Sequence, residues 1–212
     1  MRAVHDTVKA ADPTLRFGIS PQGNPDNDLT EQYSDVTSWL TAEGEDAVVD
    51  YLCPQIYWGF GYTLKSGSTR FAFENIVPAW CAMPRSGNVA LYFGLGAYRV
   101  GTGDGGANED STSQWSTGSA LAKQVETLRA QGAGGWALYR YGSLFGSAAP
   151  EQAAAEREAL ARANDQMGWV PTRDLAKITS GDSMGVHYDG KSQITIGARY
   201  AYEAARLAGY DV

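Results

Sequence analysis

The stretch "DYLCPQIYWGFGY" (residues 50–62) begins as a buried strand and changes character within a few residues. After Leu52 and Cys53 come a proline, a glutamine, three aromatic residues and two glycines. The near-continuous apolar run "AVVDYLCPQIYW" (47–58) suits a parallel strand covered on both faces. Its polar and aromatic end then marks the carboxyl end of that strand, where parallel α/β folds place their sites.

Three other stretches repeat this order: "RFGISP" (16–21), "VALYFGLGAY" (89–98) and "GGWALYRYGSLF" (134–145). Each reads as a strand ending in Gly, Pro, polar or aromatic residues. Helical faces lie between them. Tyr33, Val36, Trp39 and Leu40 share one face, as do Phe73, Ile76, Val77, Trp80 and Cys81, and Leu121, Val125 and Leu128. Pro78 predicts a late start or a kink in the second helix. Pro150 with Glu151 opens "PEQAAAEREALARAN", and "RAVHDTVKAA" supplies a helix before the first strand. The predicted class is α/β with parallel crossovers. Four such strands fit either a small open sheet or half of an eight-stranded barrel.

Residues 166–212 break the alternation. "GWVPTRDLAKITSGDSMGVHYDGKSQ" is loop-rich, and "ITIGARYAYEAARLAGYDV" reads as a strand leading into a helix. They are expected to be a linker and the start of a second domain, cut short, after a first domain over 1–165.

The 212 residues carry a net charge of −7 and no basic patch, which argues against nucleic-acid binding. No apolar run approaches a membrane span. The N-terminus is no signal peptide, because Asp6, Lys9 and Asp12 interrupt the apolar region one requires. Cys53 and Cys81 read as core thiols, and His5 and His187 form no ligand pattern, so no metal or cofactor is expected. The 12 Tyr and 6 Trp, several beside glycines, suit neutral polar ligands with flat apolar faces.

The strand ends supply Ser20, Gln22 and Asn24, then Gln55, Tyr57 and Trp58, then Tyr98 and Arg99, and finally Tyr139, Arg140 and Tyr141. Amides and guanidinium groups grip sugar hydroxyls, and aromatic faces stack on pyranose C–H faces. Strand alternation turns Gln55 and Tyr57 to the side opposite Leu52. Trp58 would point towards the helices, but the glycines after it are expected to end the strand early and swing the indole over the rim. Packing is the competing reading for each aromatic, and a salt bridge for Arg140. "GTGDGGANED" (101–110) has no lysine and no dinucleotide spacing, and reads as a flexible surface loop. Asp26 and Asp28 read as turn and helix-cap residues. Asp50 sits low in its strand.

Taken in order, "FGISPQGN", "DYLCPQIYWGF", "LYFGLGAYRVG" and "YRYGSLF" resemble the bacterial glycoside-hydrolase-like family 10 proteins, which are (β/α)8 barrels. The resemblance covers about residues 1–147. It implies the C-terminal half of such a barrel, from a secreted or envelope-associated hydrolase acting on glycan chains, peptidoglycan strands foremost. Family members carry an acidic motif of the form D-G-I-H-F-D-D-Y on an earlier strand, which nothing here matches. Glycosidic hydrolysis ordinarily needs two carboxyl groups. The catalytic acid is therefore expected to lie outside this chain, leaving the catalytic residues unknown. Ser20, Gln22, Asn24, Gln55, Tyr57, Trp58, Tyr98, Arg99, Tyr139 and Tyr141 are the expected substrate-binding residues. A half barrel would also expose two strand edges open to self-association. Two alternatives stand beside this one: a non-catalytic carbohydrate-binding half-barrel, and an open flavodoxin-like sheet binding a nucleotide.

Overall fold

The structure is a computed structural model that describes residues 1–163, 175–178 and 188–210. Its contacts divide the chain into two compact units, Met1–Arg157 and Glu158–Val212.

The first unit alternates helices with short parallel strands. Helix α1 (Arg2–Ala11) leads into β1 (Gly18–Ile19), followed by α2 (Asp28–Gln32) and α3 (Val36–Thr41). Strands β2 (Tyr51–Leu52) and β3 (Gln55–Ile56) come next, then α4 (Phe73–Ala82), β4 (Ala90–Leu91) and β5 (Phe93–Leu95). Helices α5 (Glu109–Ser113) and α6 (Ala120–Ala130) precede β6 (Trp136–Leu138), and α7 (Tyr141–Phe145) and α8 (Pro150–Arg162) follow it. Two parallel sheets result, ordered β1-β2-β4 and β3-β5-β6. Gly18 pairs with Tyr51, Tyr51 with Ala90, Gln55 with Gly94, and Phe93 with Trp136. Each apolar run therefore lies beside the run before it in the chain.

Alternation along these runs sorts their side chains. Leu52, Ile56, Phe93 and Leu95 are completely buried, packed in one core with Phe73, Val77, Trp80, Leu121, Val125 and Leu128. Burial of each such side chain contributes about 1.5–3 kcal/mol. Residues of the other parity, Tyr51, Gln55, Tyr57 and Tyr92, stay partly exposed on the opposite face. Helix α4 runs through Pro78 with its apolar face intact.

Several local expectations are corrected. The face proposed for Tyr33, Val36, Trp39 and Leu40 is split between two helices. Tyr33 ends α2 in the left-handed region, at φ 52°, and is 88% exposed. The end of "GGWALYRYGSLF" is a helix, α7, because the strand stops at Leu138. Asp28 caps nothing: it is the first residue of α2, and its carboxylate is buried. The turn before it is capped by Asn24, whose side chain accepts from Asp26 N. The 101–110 segment lies mostly at the surface, as read, but Gly103 and Asp104 are buried within it. Cys53 and Cys81 are unpaired thiols, the first buried and the second half-buried.

Helix α6 has no cap of its own, since Ser119 makes no side-chain cap bond. The carboxylate of Glu156 on α8 replaces it, accepting the backbone N–H groups of Ala120 and Leu121, the latter at 3.2 Å. Burial pushes the Glu156 carboxyl up, opposed by these same N–H donors.

In the second unit, "ITIGARYAYEAARL" is helical throughout, within α9 (Gly190–Leu207). The β-branched run 194–196 read as a strand, but the Asp189 side chain caps a helix starting before it, accepting from Ser192 N at 2.7 Å. Lys177 and Tyr188 form an isolated antiparallel bridge. The loop-rich reading of 168–193 falls largely outside the described residues, as do the last two residues of "GYDV". Among the described residues, no helix is long and apolar enough to cross a membrane.

Candidate functional site

The carboxyl ends of the strands open onto a cleft of about 340 Å³ lined by Gln22, Gly23, Asn24, Gln55, Tyr57, Trp58, Phe71, Tyr98 and Arg99. Gln22 and Asn24 follow β1, Gln55, Tyr57 and Trp58 belong to β3 and its end, and Tyr98 and Arg99 follow β5. Seven of the ten expected residues thus meet in one place. Tyr139 reaches the group through Tyr57, on which it stacks at 5.9 Å and 25°. Ser20 and Tyr141 lie elsewhere. Ser20 lines a second cavity of about 510 Å³ with Tyr51, Cys53, Tyr92 and Trp136, and its hydroxyl donates to Cys53 O. Tyr141 stacks on Phe145 within α7 and is 75% exposed.

The aromatic wall is tightly ordered. Trp58 lies almost flat on Phe71, with centroids 4.7 Å apart and planes at 11°. Tyr57 meets Tyr98 edge-on at 5.5 Å. Burial, with Tyr98 and Tyr139 close by, pushes the Tyr57 phenol up to about 12, so it stays a neutral donor at physiological pH. Glycine is required where the wall is closest: a Cβ on Gly23 would come within 2.7 Å of the Trp58 ring and 2.4 Å of Gln55 O. The Trp80 indole N–H holds this loop from the core side, donating to Gly23 O at 3.0 Å.

The segment after Trp58 is held by side chains from four other places. Gln124 Nε2 donates to Trp58 O, and the Asp104 carboxylate accepts from Gly59 N at 3.0 Å. Gln114 accepts from Phe60 N and donates to Phe60 O, while Glu74 and Asn108 engage the N–H and carbonyl of Gly61. Asp104 also accepts from Ser111 Oγ, Trp115 Nε1, Gly106 N and Thr112 Oγ1. Burial alone would raise its carboxyl, but these donors outweigh burial and hold it below the ordinary value. Phe71 and Asp104 were missed in the sequence. Phe71 had one cue, an aromatic preceding a helix, and Asp104 none, since its partners lie as far as 45 residues away.

Among the described residues, no carboxylate lines the cleft. Asp28 lies close to Gln22 but is 2% exposed, and neither of its oxygens has a hydrogen-bond donor. Burial pushes it up to about 6, with Gln22 opposing. Asp26 pairs with Arg70 at 2.6 Å, and Asp50 with Lys9 at 2.8 Å. Among the described residues no group of three His, Cys, Asp or Glu side chains is placed to hold a metal ion. The arrangement can bind a flat polar molecule through stacking and amide contacts.

Comparison with known proteins gives this geometry a context. A family model described as glycosyl hydrolase-like 10 matches residues 1–115. The chain is 29% identical over 144 residues to the glycosyl hydrolase YngK of Bacillus subtilis (strain 168), covering 61% of this chain and 25% of that protein. It is 28% identical over 112 residues to the glycosyl hydrolase DigH of Escherichia coli (strain K12), covering 46% and 23% respectively. The chain thus spans about a quarter of the length of these relatives. No solved structure matches it.

Proposed function

The chain belongs to the glycosyl hydrolase-like 10 family, and from that premise we propose that residues 1–157 are part of a (β/α)8 barrel bearing the sugar-binding cleft of a glycoside hydrolase. The substrate we assign is a glycan of the bacterial envelope, peptidoglycan strands foremost, which places the whole protein outside the cytoplasm. One observation carries this reading: Trp58, Phe71, Tyr57 and Tyr98 form an aromatic wall at the carboxyl ends of parallel strands, with Gln22, Asn24, Gln55 and Arg99 beside it. Stacking faces flanked by amides suit pyranose rings. The chain-order adjacency of the strands supports a barrel over a doubly wound sheet, whose strand order reverses at its ligand site.

For this chain by itself, binding without hydrolysis is the second reading, favoured by a cleft lining that, among the described residues, includes no carboxylate. Titrating the chain with soluble glycan strands while following tryptophan fluorescence tests binding, and an assay for new reducing ends tests turnover. Binding without turnover is the expected result. Turnover abolished by Asp28→Asn would move the catalytic acid into this chain.

A further inference from the structure

Among the described residues, Arg99 is the one cation lining the cleft, and none of them pairs with it as a counter-charge. Its Nε is buried with no acceptor, and Nη1 reaches only Gly103 O at 3.4 Å. Its guanidinium lies over the Tyr98 ring, 4.7 Å from the centroid. Among the described residues no carboxylate forms an ion pair with it, and Asp104, five residues further along the chain, is engaged by Gly59, Ser111, Trp115, Gly106 and Thr112. Gln22, lining the same cleft, has a buried Nε2 with no acceptor at full hydrogen-bonding geometry, its close acidic neighbour being the buried Asp28 carboxyl. Two buried donors and a partly desolvated cation therefore share a cleft whose lining, among the described residues, includes no carboxylate, with Asp28 buried beside Gln22. Leaving such groups unmatched is costly, and an anion removes the cost.

Resting on the glycan reading above, we propose that Arg99 and Gln22 form a subsite for a carboxylate carried on a sugar ring. The planar guanidinium matches a carboxylate through two parallel hydrogen bonds, which a hydroxyl cannot reproduce. One cation balances one negative charge, so the subsite fits a carboxylate better than a doubly charged phosphate monoester. The Tyr98 ring, over which the guanidinium lies, restricts the orientation of its plane.

The test uses the whole chain and two probes that differ only in this group: a hyaluronan tetrasaccharide, which carries glucuronate carboxylates, and its carboxyl-reduced form. The acid should bind about tenfold more tightly, the scale of a charge-assisted hydrogen bond. Arg99→Gln should abolish that preference, so that both probes bind with equal affinity, with the thermal midpoint verifying the fold. Arg99→Lys, which keeps the charge and loses the fork, should retain only part of the preference, and it serves alone if the glutamine variant fails to fold. Equal binding of both probes by the unsubstituted chain overturns the carboxylate subsite and leaves the glycan reading standing. A preference that survives both substitutions also overturns it. Binding of neither probe overturns the carboxylate subsite, while the glycan reading stands or falls with the titration of soluble glycan strands.

Discussion

Asp104 Oδ2 accepts the backbone N–H of Gly59 at 3.0 Å, so a carboxylate 45 residues away fixes the chain immediately after Trp58. The same oxygen accepts from Trp115 Nε1 and Ser111 Oγ, joining the cleft wall to α5 and the turn before α6. Asp104→Ala would leave several buried donors unmatched. It should destabilise the first unit by about 3 kcal/mol or more in urea unfolding and broaden the tryptophan emission. An unchanged unfolding midpoint would show that the segment holds itself.

Trp58 and Trp80 should respond oppositely to truncation. Trp80 is completely buried, and Trp80→Ala should cost about 3–5 kcal/mol. Trp58 is only partly buried and lines the cleft. Trp58→Ala should remove most glycan binding at a smaller cost in stability. Thermal melts and glycan titrations of the two variants separate the roles, and intact binding by the Trp58 variant would make its indole a packing element.

Asp28 predicts a pH dependence of defined sign. Its carboxyl is pushed up to about 6 in the folded chain, against an ordinary value of about 3.9 when unfolded. Between those values the folded state holds a proton that the unfolded state has released. The stability linked to this proton is complete below about pH 4 and is lost as pH rises through 6. Asp28→Asn cannot ionise and should flatten the profile, with a gain at pH 7–8 of at most about 3 kcal/mol. Urea midpoints between pH 4 and 8 give the answer, and parallel profiles for the two proteins would refute it.

Strands β1 and β6 each pair on one side only, leaving ladder groups open at the outer edges. We expect the purified chain to self-associate through these edges, as a dimer or larger species in light scattering after size-exclusion chromatography. A stable monomer at high concentration would mean that the edges are protected.

The parallel strands and most of the rim were legible in the sequence, because a run such as "LYFGLGAYR" shows both its apolar wall and the point where the wall ends. Gln55 and Tyr57 followed from parity once Leu52 was set inside. Trp58 followed from the glycines after it. Asp104 and Asp28 were illegible for a shared reason: local chemistry assigns an aspartate near glycines or a helix start to turns and caps. Burial and distant partners, which a sequence window does not contain, overruled that assignment. The strand reading of 194–196 failed because three β-branched residues resemble a strand until the Asp189 cap upstream is weighed. Ser20 and Tyr141 were placed at strand ends, but one hydroxyl turned to Cys53 and the other ring to Phe145.

The cap of α6 is supplied by Glu156, which lies 36 residues beyond Ala120, the first residue of the helix. During synthesis, the beginning of α6 leaves the ribosome well before the group that completes it. Its first turn must wait, solvated, until α8 emerges and folds back. A single cut in the short connection between α7 and α8 would leave every residue of α6 in place and still detach its acceptor. Leu121 and Val125, buried residues of α6, would then belong to a helix with a fraying start. The end of the first unit thus works as a clasp: the last piece made is the one that locks an earlier piece shut.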